Sequence, residues 1–348
     1  MTFAAARRLL EKAIAERAFP AASIEVGTAS QVLWREAFGR LTFDPDALPA
    51  ADDTIFDLAS LTKVLATTPL VMQQIERGAL GLDDPASRHI ASWRGADRAG
   101  VTLRDLLAHC SGLPSWRPFF RELKGRAAYE TAISETPLEY EPRSRSTYSD
   151  LGFMLLGFVL EDEATLGERF ATLLTQMGVV EEIRYNPPPL WLARTAPTEN
   201  DPWRGRLIAG EVQDENAWVL GGVAGHAGLF GTSAAVGSCA RHVMQILGGR
   251  TGAVTRRTLE EFVTRRADVP GSSRALGWDT MLPTSSCGTR LSPRAFGHTG
   301  FTGTSLWIDP ERDVYVTLLT NRVHPTRAND TITRVRPAVH DAIVEALP

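Results

Sequence analysis

Ser60 and Lys63 stand three residues apart at the head of the apolar run from Phe56 to Thr68. On a helix, positions i and i+3 share a face one turn apart, so the hydroxyl and the amine are brought together. A serine in a first helical turn also meets the positive end of the helix dipole, which favours a developing alkoxide. Burial weakens a lysine's preference for its charged form, so Lys63 is expected to be able to take a proton from its neighbour. The pair reads as a nucleophile with its own base.

Composition sharpens this reading. Only Lys12, Lys63 and Lys124 are lysines among 37 basic residues. Arginine serves almost everywhere that a plain positive charge is wanted, and arginine cannot give up its proton. A lysine kept at position 63 therefore points to proton transfer. By itself, Ser-x-x-Lys remains a weak motif.

The elements that must position these groups follow from periodicity. Residues 1–19 read as an amphipathic helix, with Arg7, Arg8, Glu11 and Lys12 where a leader peptide needs an apolar core. Ala22 to Val26 and Gln31 to Phe38 read as a hairpin. The Ser60 helix is expected to reach Arg77 and stop at Gly78. From Leu80 to Gly221 helices and long loops dominate. Thr102 is placed to cap a helix over Leu103 to His109, and Ser149 or Asp150 to cap one beginning at Leu151. Leu166 to Met177 is a further helix, stopped at Gly178. Ser233 is expected to cap a helix reaching Leu247. Strands return at Phe296 to His298, Ser305 to Ile308 and Val314 to Thr320, followed by a closing helix over Ile332 to Leu347 with Pro337 inside it.

Strands, a helical block, then strands again predict an α/β (α+β) fold. One antiparallel sheet flanked by helices is built from both chain ends, with a mainly helical lobe inserted. The expected division is 1–79 with 222–348 as the sheet lobe, and 80–221 as the inserted lobe. Ser60 then falls at the junction of the lobes, where clefts form.

At 348 residues, 43% hydrophobic and 22% charged, the chain has the composition of a globular protein with a large core. A net charge of -4 and a pI near 6.0 give no electrostatic case for nucleic acid or an anionic membrane. The longest apolar run, Leu151 to Leu160, is half of what a bilayer span needs. Cys110, Cys239 and Cys287 are far apart and odd in number, which argues against a disulfide framework. With no leader read at the N-terminus, a cytoplasmic location is expected, or a periplasmic one if a leader has been removed.

Two further stretches carry chemistry: Tyr148-Ser149-Asp150 and His298-Thr299-Gly300, the latter followed by Phe301-Thr302-Gly303. With Ser60-Leu61-Thr62-Lys63 they make three ordered motifs, and the chain resembles the penicillin-recognising serine hydrolases. These comprise class C β-lactamases, D-alanyl-D-alanine carboxypeptidases, D-aminopeptidases and β-lactamase-like esterases. The segment Leu106-Leu107-Ala108-His109-Cys110-Ser111-Gly112-Leu113-Pro114 is similar to family sequence as well. The resemblance covers nearly the whole chain. It implies that Ser60 attacks an acyl carbon, with Lys63 and the Tyr148 phenol moving the proton; either is eligible as the acylation base. It also implies an oxyanion hole from the backbone N–H groups of Ser60 and Phe301, and a substrate site lined by Asp150, His298, Thr299 and Gly300.

Two positions depart from the family pattern. Asparagine is usual where Asp150 stands, and an ionised aspartate only accepts hydrogen bonds. Asp150 can pair with Lys63, receive a substrate ammonium or hydroxyl, or cap its helix. Lysine is usual where His298 stands, and a histidine near its ordinary pKa of about 6.5 is mostly neutral at neutral pH. His298 and Asp150 together are expected to disfavour anionic β-lactams and to suit a neutral ester or a substrate with a free amino group.

His226, in a glycine-rich loop, reads first as a structural histidine. Glu211, Asp214 and Asn216 are candidates to line the site but read first as a solvated loop. No zinc spacing, P-loop or dinucleotide pattern occurs, so no metal or cofactor is expected. The leading expectation is hydrolysis of an ester, small amide or peptide bond in a small molecule or short peptide. The rivals are a class C-like β-lactamase, a D-amino-acid peptidase acting on cell-wall fragments, and a non-catalytic penicillin-binding-like module.

Overall fold

A computed structural model describes residues 2–347. Its main sheet has six strands, all paired antiparallel, in the spatial order Val32–Gly39, Ala21–Gly27, Val314–Thr320, Ser305–Asp309, Phe296–Thr299 and Asp279–Thr280. The first two come from the start of the chain and the other four from its end, as the pattern of strands predicts. Ala21–Gly27 and Val314–Thr320 are the second and third strands of the sheet and are buried throughout.

Period-two alternation tells the two faces apart. Ile24, Val26, Val314, Val316 and Leu318 share one core with Ala6, Leu10, Val339 and Ile343 of the helices Ala4–Ala15 and Ile332–Glu345. Tyr315 and Leu319 face the other way, toward Ala235, Val236 and Ala240 of the helix Ser233–Leu247. Ser23 and Glu25 point to that side too. Ser23 Oγ lies 2.7 Å from Ser233 Oγ, and Glu25 is satisfied by Arg35, Arg241 and Tyr315. A Cβ at Gly237 would collide with the Glu25 carboxylate, so glycine there admits the buried charge.

The helices between the sheet halves include Leu103–Leu107, Arg126–Glu135, Asp150–Leu160 and Leu166–Met177. Thr102 caps the first with a reciprocal Asp105 contact, and Gly178 ends the last in a left-handed turn. A small sheet joins Phe56–Asp57, Leu229–Gly231 and Ile183–Tyr185. It ties the stretch just before Ser60 to two distant segments.

Local details differ from expectation. Thr232, not Ser233, caps the helix to Leu247. The helix after Thr102 stops at Leu107, because His109 takes a left-handed φ of 56°. The run after Ser60 is not a regular α-helix: Lys63–Thr67 is wound as a π-helix before Thr68–Glu76 continues. Pro69 has no N–H and its ring would press on the carbonyl four residues back, so the helix widens ahead of it.

Candidate active site

Ser60 sits at the tip of a tight turn at the head of that helix. Leu61 N–H donates to Leu58 O at 3.1 Å, and Lys63 N–H to Ser60 O at 3.1 Å. Ala59, just before the serine, has a left-handed φ of 47°, a conformation that costs a non-glycine residue roughly 1 kcal/mol or more. The strain is held from below. Asp57 Oδ1 accepts from Ala59 N–H at 2.8 Å and Oδ2 from Gln213 N–H at 2.7 Å. Burial, together with the neighbouring Asp214 carboxylate, pushes Asp57 up to about 6 against the pull of those two amides.

Lys63 is wholly buried, and its three ammonium protons have three acceptors: Ser60 Oγ at 3.0 Å, Asp150 Oδ1 at 2.6 Å and His226 O at 3.0 Å. Burial alone would lower its pKa, but the Asp150 carboxylate, helped by Tyr148, carries it above the ordinary lysine value. The resting lysine is therefore an ammonium. The expected amine poised to lose its proton gives way to one clamped in its charged form, because the second motif ends in a carboxylate.

The acidic side chain is free for that pairing because Ser149 does the capping. Ser149 Oγ accepts from Gly152 N–H and donates to Pro114 O at 2.7 Å. Asp150 N–H donates to Ser115 O at 2.9 Å, which aims the carboxylate at Lys63. The structure shows the ion pair and gives the cap to Ser149, while Asp150 also lines the cleft.

Tyr148 completes the group. Its hydroxyl donates to Ser60 Oγ at 2.8 Å, and the Lys63 ammonium lies 4.9 Å from its ring centre. Burial and the Asp150 charge raise the phenol's pKa, so it rests protonated. His109 supports the ring at 4.7 Å and accepts Ser149 N–H at Nδ1, 3.0 Å away. Burial holds His109 well below its usual pKa, so it serves as a neutral spacer. Cys110 next to it is buried, with its thiol pushed up to about 12, and takes no part as a nucleophile.

The third motif closes the cleft. His298 is buried, and its Nδ1–H donates to Thr299 O at 2.8 Å. Burial, Lys63 and Arg274 press its pKa well below 6.5, so it is neutral. A Cβ at Gly300 would stand 2.6 Å from Leu58 O, so only glycine lets this strand end lie against the serine turn. Thr302 and Thr304 lock the two together, donating to Asp57 O at 2.7 Å and Leu58 O at 3.0 Å. Among the described residues, the Ser60 and Phe301 amides donate to no other group. Phe301 is held by Arg322, whose Nε donates to Phe301 O at 2.7 Å.

Ser60, Tyr148, Asp150 and His298 line a cleft of about 620 Å³ with Thr299, Trp116, Asp214, Glu215, His226 and four arginines. Trp116 and the arginines carried no signal in the sequence. His226 reaches the site through its carbonyl on Lys63, while its Nε2 lies 2.9 Å from Asp214 Oδ1. Gly225 makes this approach possible, since a Cβ there would press on Gly157 Cα at 2.8 Å. Asp214 caps the helix Glu215–Val219 and Asn216 is fully buried, which corrects the reading of that stretch as solvated loop. Arg274 is the most consequential omission. Its guanidinium lies 5.3 Å from the Tyr148 ring centre, and among the described residues no carboxylate pairs with it. Among the described residues, no group of three or more His, Cys, Asp or Glu side chains is arranged to hold a metal, and no helix is long and apolar enough to cross a membrane.

A serine, a lysine and a tyrosine thus meet within hydrogen-bond distance at the head of a helix, beside an antiparallel sheet. The chain belongs to the Beta-lactamase family, whose sequence model matches residues 6–340. It is 30% identical over 350 residues, 88% of this chain and 79% of the other, to an Escherichia coli (strain K12) protein named "Putative D-alanyl-D-alanine carboxypeptidase". Its fold is also that of EstCE1, a hydrolase with promiscuous acyltransferase activity (TM-score 0.77, 21% identity, 98% of each chain covered). A class C β-lactamase from Rhodobacter sphaeroides shares it too (TM-score 0.76, 22% identity, 99% of each chain).

Proposed function

We propose that this protein is a serine hydrolase that works through an acyl-Ser60 intermediate on an ester or a small amide or peptide bond. The observation that carries the reading is the placement of Ser60 Oγ, 3.0 Å from Lys63 Nζ and 2.8 Å from the Tyr148 hydroxyl. Ser60 Oγ bonds to the substrate carbonyl carbon, and the carbonyl π electrons move onto its oxygen. The Ser60 and Phe301 amides receive that oxyanion. The Ser60 proton passes to Tyr148 as the tyrosine's own proton goes to the leaving group, so the buried phenol need never stay ionised. The Lys63 ammonium stabilises negative charge along this path while Asp150 keeps it protonated. Collapse of the oxyanion breaks the scissile bond. Water then repeats the sequence on the acyl-enzyme and frees Ser60.

A D-amino-acid peptidase is the second reading, supported by Arg274. Lys63 engages Asp150 Oδ1, and His298 is neutral. Arg274, one of four arginines lining the cleft, lies over the Tyr148 ring with no carboxylate partner among the described residues, and so is placed to meet a substrate carboxylate. This adds carboxylate-bearing substrates to the uncharged or amino-bearing ones read from His298 and Asp150 alone. It also agrees with the carboxypeptidase name borne by the relative in Escherichia coli.

The test compares turnover of p-nitrophenyl acetate, a D-alanyl-D-alanine peptide and a chromogenic cephalosporin, with Ser60→Ala as the blank. Ser60-dependent ester or peptide turnover that exceeds cephalosporin cleavage supports the proposal. Faster cephalosporin cleavage makes the protein a β-lactamase. Turnover that survives Ser60→Ala removes Ser60 as the nucleophile.

A further inference from the structure

One wall of the cleft continues outward as a row of aromatic rings. Trp116 lines the cleft beside Ser60 and is 37% exposed. Its ring centre is 6.2 Å from that of Phe120, which is 4.6 Å from Trp203, which in turn is 5.6 Å from Trp218. Trp203 and Trp218 are 41% and 37% exposed. Three separate segments supply them: the loop before Phe119–Arg121, the turn between Asn200–Asp201 and Arg206–Leu207, and the helix Glu215–Val219.

The row is held in place by buried polar contacts. Asn216 Oδ1 accepts from Phe120 N–H at 2.9 Å and from the Tyr129 hydroxyl at 3.1 Å, and its amide donates to Arg117 O at 2.9 Å. Trp218 Nε1–H donates to Glu211 Oε2 at 2.7 Å. Packing the loops needs only Phe120 to be buried, and it is. Three tryptophans kept more than a third exposed on one fixed ledge go beyond that need, and contiguous apolar surface opening from a cleft marks a binding site.

We infer that the ledge formed by Trp116, Trp203 and Trp218 is a subsite for a large apolar or aryl group of the substrate, extending from the carbonyl held at Ser60. This rests on the hydrolase reading and narrows its substrate class. The neighbouring polar groups favour an apolar occupant over a saccharide. Arg204 pairs with Asp201, Arg206 pairs with Glu211, and the Trp218 N–H is already used, so the polar groups beside Trp218 are engaged within the protein.

The experiment has two arms. In the first, kcat/KM is measured for p-nitrophenyl acetate against octanoate, and for ethyl acetate against 4-phenylbutyl acetate, which places the apolar group on either side of the ester. The larger group is expected to raise kcat/KM about tenfold in one series, and Trp203→Ala or Trp116→Ala to bring that ratio close to one. No preference in either series, or a preference that survives both substitutions, overturns the ledge. So does a preference for a glycosyl ester over the apolar ones.

The second arm does not depend on turnover. The tryptophan fluorescence of Ser60→Ala protein is titrated with octanamide and with acetamide. Saturable quenching by octanamide alone, lost in the added Trp203→Ala change, is the expected result. Absence of quenching while ester hydrolysis persists overturns the ledge and leaves the hydrolase reading standing. Quenching without Ser60-dependent hydrolysis overturns the hydrolase reading and leaves the ledge.

Discussion

The Lys63 ammonium and the Asp150 carboxylate lie 2.6 Å apart, the lysine wholly buried and the aspartate 17% exposed. This contact sets the charge state of the whole centre. Replacing the carboxylate with an amide leaves a buried ammonium with neutral acceptors only: Ser60 Oγ, the His226 carbonyl and the amide oxygen. Asp150→Asn is expected to destabilise the protein by about 3 kcal/mol at pH 7. The raised lysine pKa contributes stability that is present below the unfolded value of about 10.4 and fades as pH rises through the folded value. The penalty in the variant is therefore expected to be full from pH 7 to about pH 10 and to shrink only at higher pH. Urea unfolding of both proteins from pH 7 to pH 11.5 checks it; a penalty that already falls below pH 9 would show that it does not follow the lysine charge.

Tyr148→Phe keeps the ring against His109 and Lys63 and removes only the hydroxyl 2.8 Å from Ser60 Oγ. A positioned proton carrier contributes roughly 10²–10⁴-fold. The expected result is a fall of about that size in kcat with KM nearly unchanged. Steady-state kinetics on a nitrophenyl ester provide the measurement, and a variant within threefold of the parent would exclude Tyr148 as the carrier.

Asp57 holds the strained Ala59 turn through two amide hydrogen bonds that an ionised carboxylate accepts best. Its pKa of about 6 lies above the unfolded value of about 3.9. A raised folded pKa means that the stabilising contribution is present below about pH 3.9 and is lost as pH rises through about 6. Ionised Asp57 thus costs stability at neutral pH while it fastens the nucleophile. The acid limb of kcat/KM near pH 6 is expected to vanish in Asp57→Asn, with a lower plateau because the amide accepts at one atom only. A pH–rate profile of both proteins decides; an unchanged limb would assign it to another group.

Gly225 is packed so closely that a Cβ there would collide with Phe153 O and stand 2.8 Å from the Gly157 backbone. Gly225→Ala must shift the loop and draw His226 O away from Lys63. The expected cost is about 1–3 kcal/mol in stability, together with slower labelling of Ser60 by a fluorophosphonate. Thermal unfolding and labelling rates are the readouts, and a variant that labels at the parent rate would show that the carbonyl contact is dispensable.

Arg274→Gln tests the carboxylate reading. Loss of a single charge-assisted contact is expected to raise KM for a D-alanyl-D-alanine peptide about tenfold. Turnover of p-nitrophenyl acetate, which has no carboxylate, should change less than twofold. Equal effects on both substrates would place Arg274 in support of Tyr148 instead.

Much of the fold was legible because it rests on local rules. The central strands read as buried runs, and the Leu166 helix carries its capping residue and its terminal glycine in the sequence itself. Ser60 and Lys63 were legible as a pair because three residues of helix fix their spacing. The π-turn was less visible, since it arises from Pro69 acting on a helix that is otherwise a good one. Arg274 and Asn216 had no local signature. One is an arginine in an arginine-rich chain, and the other makes its contacts with residues about 90 positions or more away.

By itself the sequence determined the chemical inventory: a serine and a lysine one turn apart, a tyrosine before a helix start, and a glycine that ends a strand without a side chain. Those choices depend on residue type and short spacing, which are local properties. The tertiary structure decided how the inventory is charged and aimed. Asp150 lies 87 residues from Lys63 and Tyr148 lies 88 from Ser60, so only packing brings them within hydrogen-bond distance. Once they are there, the Asp150 carboxylate keeps the buried lysine protonated, and burial beside Lys63 and Arg274 keeps His298 neutral. Coulomb energy in a buried site depends on distance and solvent access, and neither is written along the chain.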